Sequence, residues 1–260
     1  MLAIIDCRMP KEAQDRLKEL GFSVIPLPPF SRLAPPVASH PDMLLLPLGD
    51  RLFVHREYYE EAAATVDRIA TGSGRTLCAV DTQISAEYPN DIALNLFTVG
   101  KYLIGRTDKI PAAILDYATT LGYEPIFVKQ GYAKCSTVPL GDSAIITADP
   151  SIEKAARGLG IDTLLVSAGS VSLPGYEYGF LGGACGVCDK RIFFCGNPSS
   201  HQDGAAFLAF CEGHGFDVLP LHGAHLFDVG SIFFLSFSPS QPTVAALSSQ
   251  IACQFSDSML

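Results

Sequence analysis

Residues 134–166 read KCSTVPLGDSAIITADPSIEKAARGLGIDTLLV, and this stretch decides the fold because the rest of the chain repeats its pattern. An alternating segment leads through a GDS turn into a second apolar segment. The DPS motif that begins at Asp149 predicts the start of a helix, because Pro suits the first helical turn and Asp or Ser caps it. Glycines at 158 and 160 end the helix, and residues 162–166 read as a buried strand. The predicted unit is therefore strand, turn, strand, helix, strand.

Four further copies of this unit are present, and the five starts are roughly 44 to 49 residues apart along the chain, a period typical of propellers and solenoids. They begin at Asp42, Asp91, Gly183 and Asp228, and the last copy has no helix after it. What the last copy lacks is found at the N-terminus. There, LAIID at residues 2–6 resembles the AIITA that starts at Ala144, and VIPL after Ser23 nearly repeats VLPL after Asp217. We therefore expect the two termini to complete one module, since closing a ring leaves no sheet edge unpaired.

Five ββαβ modules, one of them shared by the termini, resemble the pentein fold, an α/β-propeller of guanidino-group-modifying enzymes. That superfamily includes arginine deiminase, dimethylarginine dimethylaminohydrolase, the amidinotransferases and a non-enzymatic ribosome anti-association factor. The runs GYAKCSTVPLGDSAIITAD and LPGYEYGFLGGACG are also similar to a family of uncharacterised bacterial proteins assigned to this fold. The resemblance covers residues 1 to about 237. It implies one α/β domain over residues 1–260, in which we expect residues 238–260 to form a helical tail.

The composition indicates a globular protein with a large core. The 260 residues are 48% hydrophobic, with a mean hydropathy of +0.26, which suffices for extensive burial. No apolar run is long enough to cross a bilayer, and the first residues lack the features of a signal peptide. The net charge of −9 argues against a nucleic-acid partner. The eight cysteines are expected to be reduced thiols, which predicts a cytoplasmic protein.

Polar residues stand at the starts of the modules. In a ring, equivalent starts converge at the axis, so we expect these residues to line one end of an axial channel bordered by residues 176–180. Taken singly, an Asp or Asn at such a position is more simply a cap for local backbone N–H groups. As a group, carboxylates, thiols and an imidazole could bind and attack a planar cationic carbon. The candidates are Asp42, Asn90, Asp91, Lys134, Cys135, Cys185, His225 and Asp228.

Within this set we expect Cys135 to be the nucleophile, because the charge of Lys134 would lower its thiol pKa. His225 would move protons, and the remaining residues would bind the ligand. Cys185, in a glycine-rich stretch that permits close approach, is the alternative nucleophile. Cys185 and Cys188 form a CxxC without a second pair, so we predict no metal and no cofactor.

The last module departs from the enzymes that the chain resembles. They carry the nucleophilic Cys there, whereas this chain reads DVGSI from Asp228 and has no Cys in that module. Two function classes therefore stay open. One is a hydrolase or amidinotransferase-like enzyme with a relocated thiol, acting on a small guanidino compound. The other is a non-catalytic ring that binds a small cationic ligand or a protein.

Overall fold

The computed structural model describes residues 1–238, where fifteen strands form five sheets of three strands each. In every sheet the middle strand pairs antiparallel with one neighbour and parallel with the other. The strands are β1 (Leu2–Asp6), β2 (Ser23–Leu27), β3 (Leu45–Leu48), β4 (Arg51–His55), β5 (Thr76–Val80), β6 (Phe97–Val99), β7 (Tyr102–Gly105), β8 (Glu124–Phe127), β9 (Thr137–Leu140), β10 (Ala144–Thr147), β11 (Asp162–Leu165), β12 (Cys185–Cys188), β13 (Arg191–Phe194), β14 (Asp217–Pro220) and β15 (Phe233–Leu235).

One helix connects the middle strand of each module to its parallel partner, because parallel strands need a crossover. In the module built from β9 to β11, Asp149 caps the helix by accepting hydrogen bonds from the N–H groups of Ser151 and Ile152. Among residues 1–238, every helix is too short or too polar to span a bilayer. The helices are α1 (Lys11–Glu19), α2 (Pro41–Leu44), α3 (Arg56–Ser73), α4 (Ala112–Thr120), α5 (Pro150–Gly158) and α6 (Gly204–Gly213), with 3₁₀ turns at Pro35–Val37 and Pro198–Ser200.

The two ends of the described chain share a sheet. Strand β1 pairs antiparallel with β15, with Leu2 opposite Leu235, and parallel with β2. This confirms the prediction that the N-terminal and C-terminal half-units make one module. The helix predicted for the tail falls, beyond residue 238, outside the described residues.

The modules meet along their first strands. Strand β9 lies beside β6 and β12, and β12 lies beside β15. The module of β3 to β5 joins its neighbours through Asp42, whose N–H donates to the Gly230 carbonyl at 3.0 Å. The carbonyl of Asp42 accepts from Asn95 Nδ2 at 3.3 Å. Residues from distant parts of the chain therefore come together where the modules start.

The first strands begin several residues later than the sequence predicts. Asp42 lies in the short helix α2. Asp91 lies in a turn before β6, and Asp228 lies in a loop before β15. At Asp228 the reason is that its carboxylate accepts hydrogen bonds from the nearby N–H of Gly230 and from the distant N–H of Phe180, which hold the chain out of the sheet. These side chains therefore lie at the junctions between modules rather than on the faces of strands.

Candidate active site

A cavity of about 270 Å³ opens between the module starts. His40, Cys135 and Asp228 supply its buried polar lining, and each is at most 3% exposed. The remaining lining residues are mostly aromatic or acidic, and many come from the loop after Leu173. They are Val37, Met43, Tyr132, Leu173, Tyr176, Glu177, Tyr178 and Phe180.

The thiol of Cys135 is held by two polar partners. It donates to Asp42 Oδ2 at 3.1 Å, and its sulfur accepts from Asn95 Nδ2 at 2.9 Å. The other end of the Asn95 amide accepts from the N–H groups of Lys134 and Cys135 at 2.8 and 3.3 Å. Because both ends of the amide are engaged, its N–H stays directed at the sulfur. A donor in this position stabilises a thiolate.

A hydrogen-bonded chain connects Lys134 to the same carboxylate. Lys134 Nζ donates to Ser231 Oγ at 2.8 Å, and Ser231 Oγ donates to Asp42 Oδ2 at 2.6 Å. Ser231 is fully buried and has a φ of 69°, which is unusual for a residue other than glycine. Asp42 Oδ1 is buried and has no hydrogen-bond partner among the described residues. One oxygen of Asp42 is thus fully occupied and the other is available.

His40 lies between two carboxylates in the cavity wall. Its Nδ1 is 3.9 Å from Asp228 Oδ1, and its Nε2 is 3.6 Å from Asp6 Oδ2. The guanidinium of Arg8 forms a bidentate pair with Asp6. Burial and the charge of Arg8 lower the pKa of His40 to about 3. The imidazole is therefore neutral at physiological pH.

The glycines of this region make room for the acidic side chains. A Cβ at Gly183 would collide with the Asp228 carboxylate, and one at Gly230 would collide with His40. Gly230 also has a φ of 63°, in the left-handed region that favours glycine. The backbone can approach the buried polar groups only because these positions carry no side chain.

Burial and neighbouring like charges raise the pKa values of the acidic groups in the site. Burial raises the pKa of Asp42, and burial together with Asp42 raises that of Asp228 to about 7. Burial, Asp42 and Asp228 also raise the pKa of Cys135. The prediction that Lys134 lowers this thiol pKa is therefore wrong, because the ammonium contacts Ser231 and not the sulfur. A bound cation would offset the repulsion among these groups.

The structure brings some of the predicted site residues together and leaves others outside. Asp42, Lys134, Cys135 and Asp228 form one hydrogen-bonded or cavity-lining group, as described above. Cys185 lies behind the cavity, fully buried, with its Sγ 3.8 Å from the Gly182 carbonyl and a pKa raised by burial to about 12. It is not a lining residue.

Three predicted residues lie away from the cavity floor. Asp91 lies beneath the rim, where its Oδ2 accepts from the Tyr132 hydroxyl at 2.7 Å. Asn90 is exposed and donates to Ser85 Oγ. His225 is also exposed and does not line the cavity. Residues counted as module starts thus diverge where the loops differ in length.

Four polar residues around the cavity are not among those predicted from the sequence: Asp6, His40, Asn95 and Ser231. His40 stands two residues before Asp42, much as His225 stands three residues before Asp228. A comparison of the repeats can therefore identify it. Ser231 is a polar residue within an otherwise apolar run. Asn95 stands inside an apolar segment and has no pattern around it that identifies it. Among residues 1–238 no group of three His, Cys, Asp or Glu side chains is arranged to hold a metal ion.

Comparisons with known proteins place the chain in a structural context. A family model described as a family of unknown function, DUF6873, matches residues 4–233. Among curated proteins, none is similar in sequence. The fold is similar to that of an amidinotransferase from Microseira wollei, of the saxitoxin biosynthetic pathway. That similarity has a TM-score of 0.57 and 14% identity, over 90% of this chain and 81% of that one.

Two further structures have the same architecture. DDAH from Pseudomonas aeruginosa, as a mutant complexed with citrulline, gives a TM-score of 0.55 at 12% identity, covering 84% of this chain and 91% of that one. A dimethylarginine dimethylaminohydrolase adduct gives 0.54 at 12% identity with the same coverage of both chains. At these identities the likeness establishes a pentein fold, and the chemistry has to be argued from the site.

Proposed function

We propose a function for this chain, which belongs to DUF6873, a family of unknown function, from the chemistry of its cavity. The cavity binds a small cationic compound through a guanidino-type group, and Cys135 is the nucleophile that attacks it. The observation that carries the proposal is a cavity-lining thiol that is hydrogen-bonded to a carboxylate, with a second buried carboxylate, Asp228, in the same cavity. The neighbours that share the fold include guanidino-modifying enzymes by name.

A guanidinium fits these groups better than an ammonium ion. Its charge is spread over a planar fork that carboxylates bind through paired hydrogen bonds. Tyr132 and Phe180, which line the cavity with ring centroids 5.9 Å apart, offer faces against which a flat cation can lie. Binding would bring positive charge to Asp228, Asp42 and Cys135, and it would lower the pKa of each.

In the first step Cys135 loses its proton to Asp42, with which it is already hydrogen-bonded. Before the transfer Lys134 keeps Asp42 ionised through Ser231, and after it the Asn95 N–H stabilises the thiolate. The thiolate forms a C–S bond to the guanidinium carbon and the C–N bond to the leaving amine breaks. The leaving amine takes up the proton that the thiol gave away, so the step conserves protons. Asp42 returns that proton to the leaving amine, and His40, which lines the cavity where the predicted His225 does not, is the imidazole assigned to assist.

The amidino group is then bound to the sulfur of Cys135. Where ammonia or a small amine has left, attack by water breaks the C–S bond and releases the rest of the substrate as a ureido product. Where the body of the substrate has left as an amine, a second amine breaks the C–S bond and takes up the amidino group. Either attack restores the free thiol. The proposal covers both a hydrolase, with water as the second reactant, and an amidinotransferase, with an amine as the second reactant.

The alternative is a ring that binds a cation without reacting with it. It is favoured by one observation: burial and two carboxylates raise the pKa of Cys135, which leaves the free protein with a protonated thiol. Calorimetry and turnover measurements on Cys135→Ala separate the two functions. We expect both proteins to bind a guanidino compound and only the unmodified one to turn it over.

A matched control for this experiment is Cys185→Ala, which removes a buried thiol that does not line the cavity. It should retain binding and turnover. If no guanidino compound binds to the unmodified protein, the proposed function is wrong. If guanidino compounds bind to both proteins and neither protein turns them over, the non-catalytic ring is the correct function.

A further inference from the structure

The outer part of the cavity is acidic and aromatic. Its walls are Tyr132, Tyr176, Glu177 and Tyr178, and none of the lining residues within 1–238 is a Lys or Arg. Glu177 and Tyr176 are exposed at this end, with Tyr176 at 49%. A ligand whose guanidino group lies near Cys135 would extend its other end between these side chains.

Two basic side chains of this region, Lys134 and Arg8, are already engaged. Lys134 Nζ donates to Ser231 Oγ and to the Gly182 carbonyl. Arg8 pairs with Asp6 and donates to the Pro35 carbonyl. Neither side chain lines the cavity. A carboxylate at the far end of a ligand would therefore meet acidic groups without a counter-charge.

A second, buried carboxylate lies beneath the same end of the cavity. Asp91 is 5% exposed; its Oδ2 accepts from Tyr132, and its Oδ1 has no hydrogen-bond partner among the described residues. Burial and the charge of Asp91 raise the pKa of Tyr176, a residue of the cavity rim. Asp91 does not itself line the cavity, so it acts on a ligand through its charge and through Tyr132, which does line it.

From this arrangement we infer that the site selects guanidino compounds whose far end is an amine, and discriminates against those that end in a carboxylate. The inference rests on the proposed function for the position of the guanidino group. An ammonium tail would be attracted by Glu177 and Asp91 and would contact the tyrosine faces. A carboxylate tail would be repelled by the same two residues. A compound with an uncharged tail should have an affinity between those of the other two.

The test is calorimetry with three compounds of equal length: butylguanidine, its derivative with a terminal amine and its derivative with a terminal carboxylic acid. We expect the amine to bind at least about tenfold more tightly than the acid. The reason is that the interaction energy of close charges near a protein surface exceeds the free energy that corresponds to a tenfold change in Kd. Glu177→Lys should reduce or reverse this preference, and Asp91→Asn should reduce it.

Butylguanidine has no charged tail, so its affinity should change much less in these variants. Glu12→Lys, which makes the same charge change on an exposed position of α1, should leave the order of the three compounds unchanged.

Three outcomes decide between the inference and the proposal beneath it. If butylguanidine binds but the acid binds as tightly as the amine, the selection for an amine is wrong and the guanidino site stands. If the preference for the amine is present but Glu177→Lys does not reduce it, these rim carboxylates are not its cause and the inference is overturned. If none of the three compounds binds, the guanidino site and the inference fail together.

Discussion

At the scale of single residues, the site depends on where its protons are held. The thiol of Cys135 has one acceptor, Asp42, and one donor, Asn95, and the two oppose each other in their effect on its pKa. The acceptor and burial prevail in the free protein. The donor becomes important once a thiolate forms. Substitution of Asn95 therefore separates the two effects.

Asn95→Asp keeps an oxygen for the N–H of Lys134 but replaces the N–H directed at sulfur by an oxygen. We expect the pKa of Cys135 to rise further and its alkylation rate at a fixed pH to fall by about tenfold for each unit of that rise. Peptide mapping after alkylation across a pH series measures this at Cys135 alone. Asn90→Asp, an exposed amide outside the cavity, is the control. Unchanged alkylation of Cys135 in Asn95→Asp would contradict the role given to the amide.

Asp228 connects the site to the pH dependence of stability. Its pKa is about 7 in the folded protein against 3.8 in the unfolded chain, so between these values the folded state binds more protons. Stability must therefore fall as pH rises from about 4 through 7, by an amount on the order of a few kcal/mol. Asp228→Asn should flatten this part of the curve of unfolding free energy against pH.

Urea unfolding at several pH values gives that curve. The exposed Asp116→Asn is the control and should keep the slope of the unmodified protein. Since Asp228 accepts from the N–H groups of Phe180 and Gly230, the Asn variant also loses part of one hydrogen bond, which shifts the whole curve down. Because burial also raises the pKa of Asp42, part of the slope should remain in Asp228→Asn; a slope as steep as in the unmodified protein would contradict the role given to Asp228.

At the scale of elements, hydrophobic periodicity and turn motifs predict strands and helices well, and they predict the polar junctions poorly. The cap at Asp149 and the strand over β10 follow from short local patterns. The junction residues do not, because their partners are far away in sequence: Asp42 contacts Cys135 and Ser231. Local patterns carry no information about such pairs. The sequence repeat does predict that Asp42, Cys135 and Asp228 lie near one another, because equivalent positions of symmetric modules converge.

Module symmetry does not predict the site residues correctly where the modules differ. Asn90 and His225 stand at equivalent positions by spacing, but the loops around them turn these side chains outward. Asn95 comes from the same loop as Asn90 and is 1% exposed. A register taken from the repeat therefore identifies the region of the site but not which of several neighbouring polar residues enters it.

Gly183 tests the packing at one such junction. A Cβ there would collide with the Asp228 carboxylate, so Gly183→Ala should lower the unfolding free energy by about 1–3 kcal/mol and weaken ligand binding. Gly158→Ala is its control, because the space around Gly158 is open and it lies in α5. Ala is favoured over Gly in a helix by roughly 0.5–1 kcal/mol, so the control should be neutral or stabilising. Equal stability of the two variants in thermal unfolding would contradict the packing described.

At the scale of the whole molecule, one module depends on both ends of the described chain. Phe234 of β15 packs against Phe22, with ring centroids 4.8 Å apart, and against Phe193 of the neighbouring module at 5.1 Å. Phe234→Ala should therefore destabilise the protein by about 3 kcal/mol or somewhat less, since the ring is partly exposed. Hydrogen exchange should show β1 and β15 losing protection together. Loss of protection confined to β15 would contradict the shared sheet.

The central claim is that the sulfur of Cys135 reacts with a guanidino carbon in this cavity. Acid quenching during turnover, followed by peptide mass spectrometry, tests it most directly. We predict an amidino adduct on the peptide that contains Cys135, present also in Cys185→Ala and absent in Cys135→Ala. A bound guanidino compound that leaves Cys135 unmodified under turnover conditions, or an adduct on another cysteine, would contradict the claim.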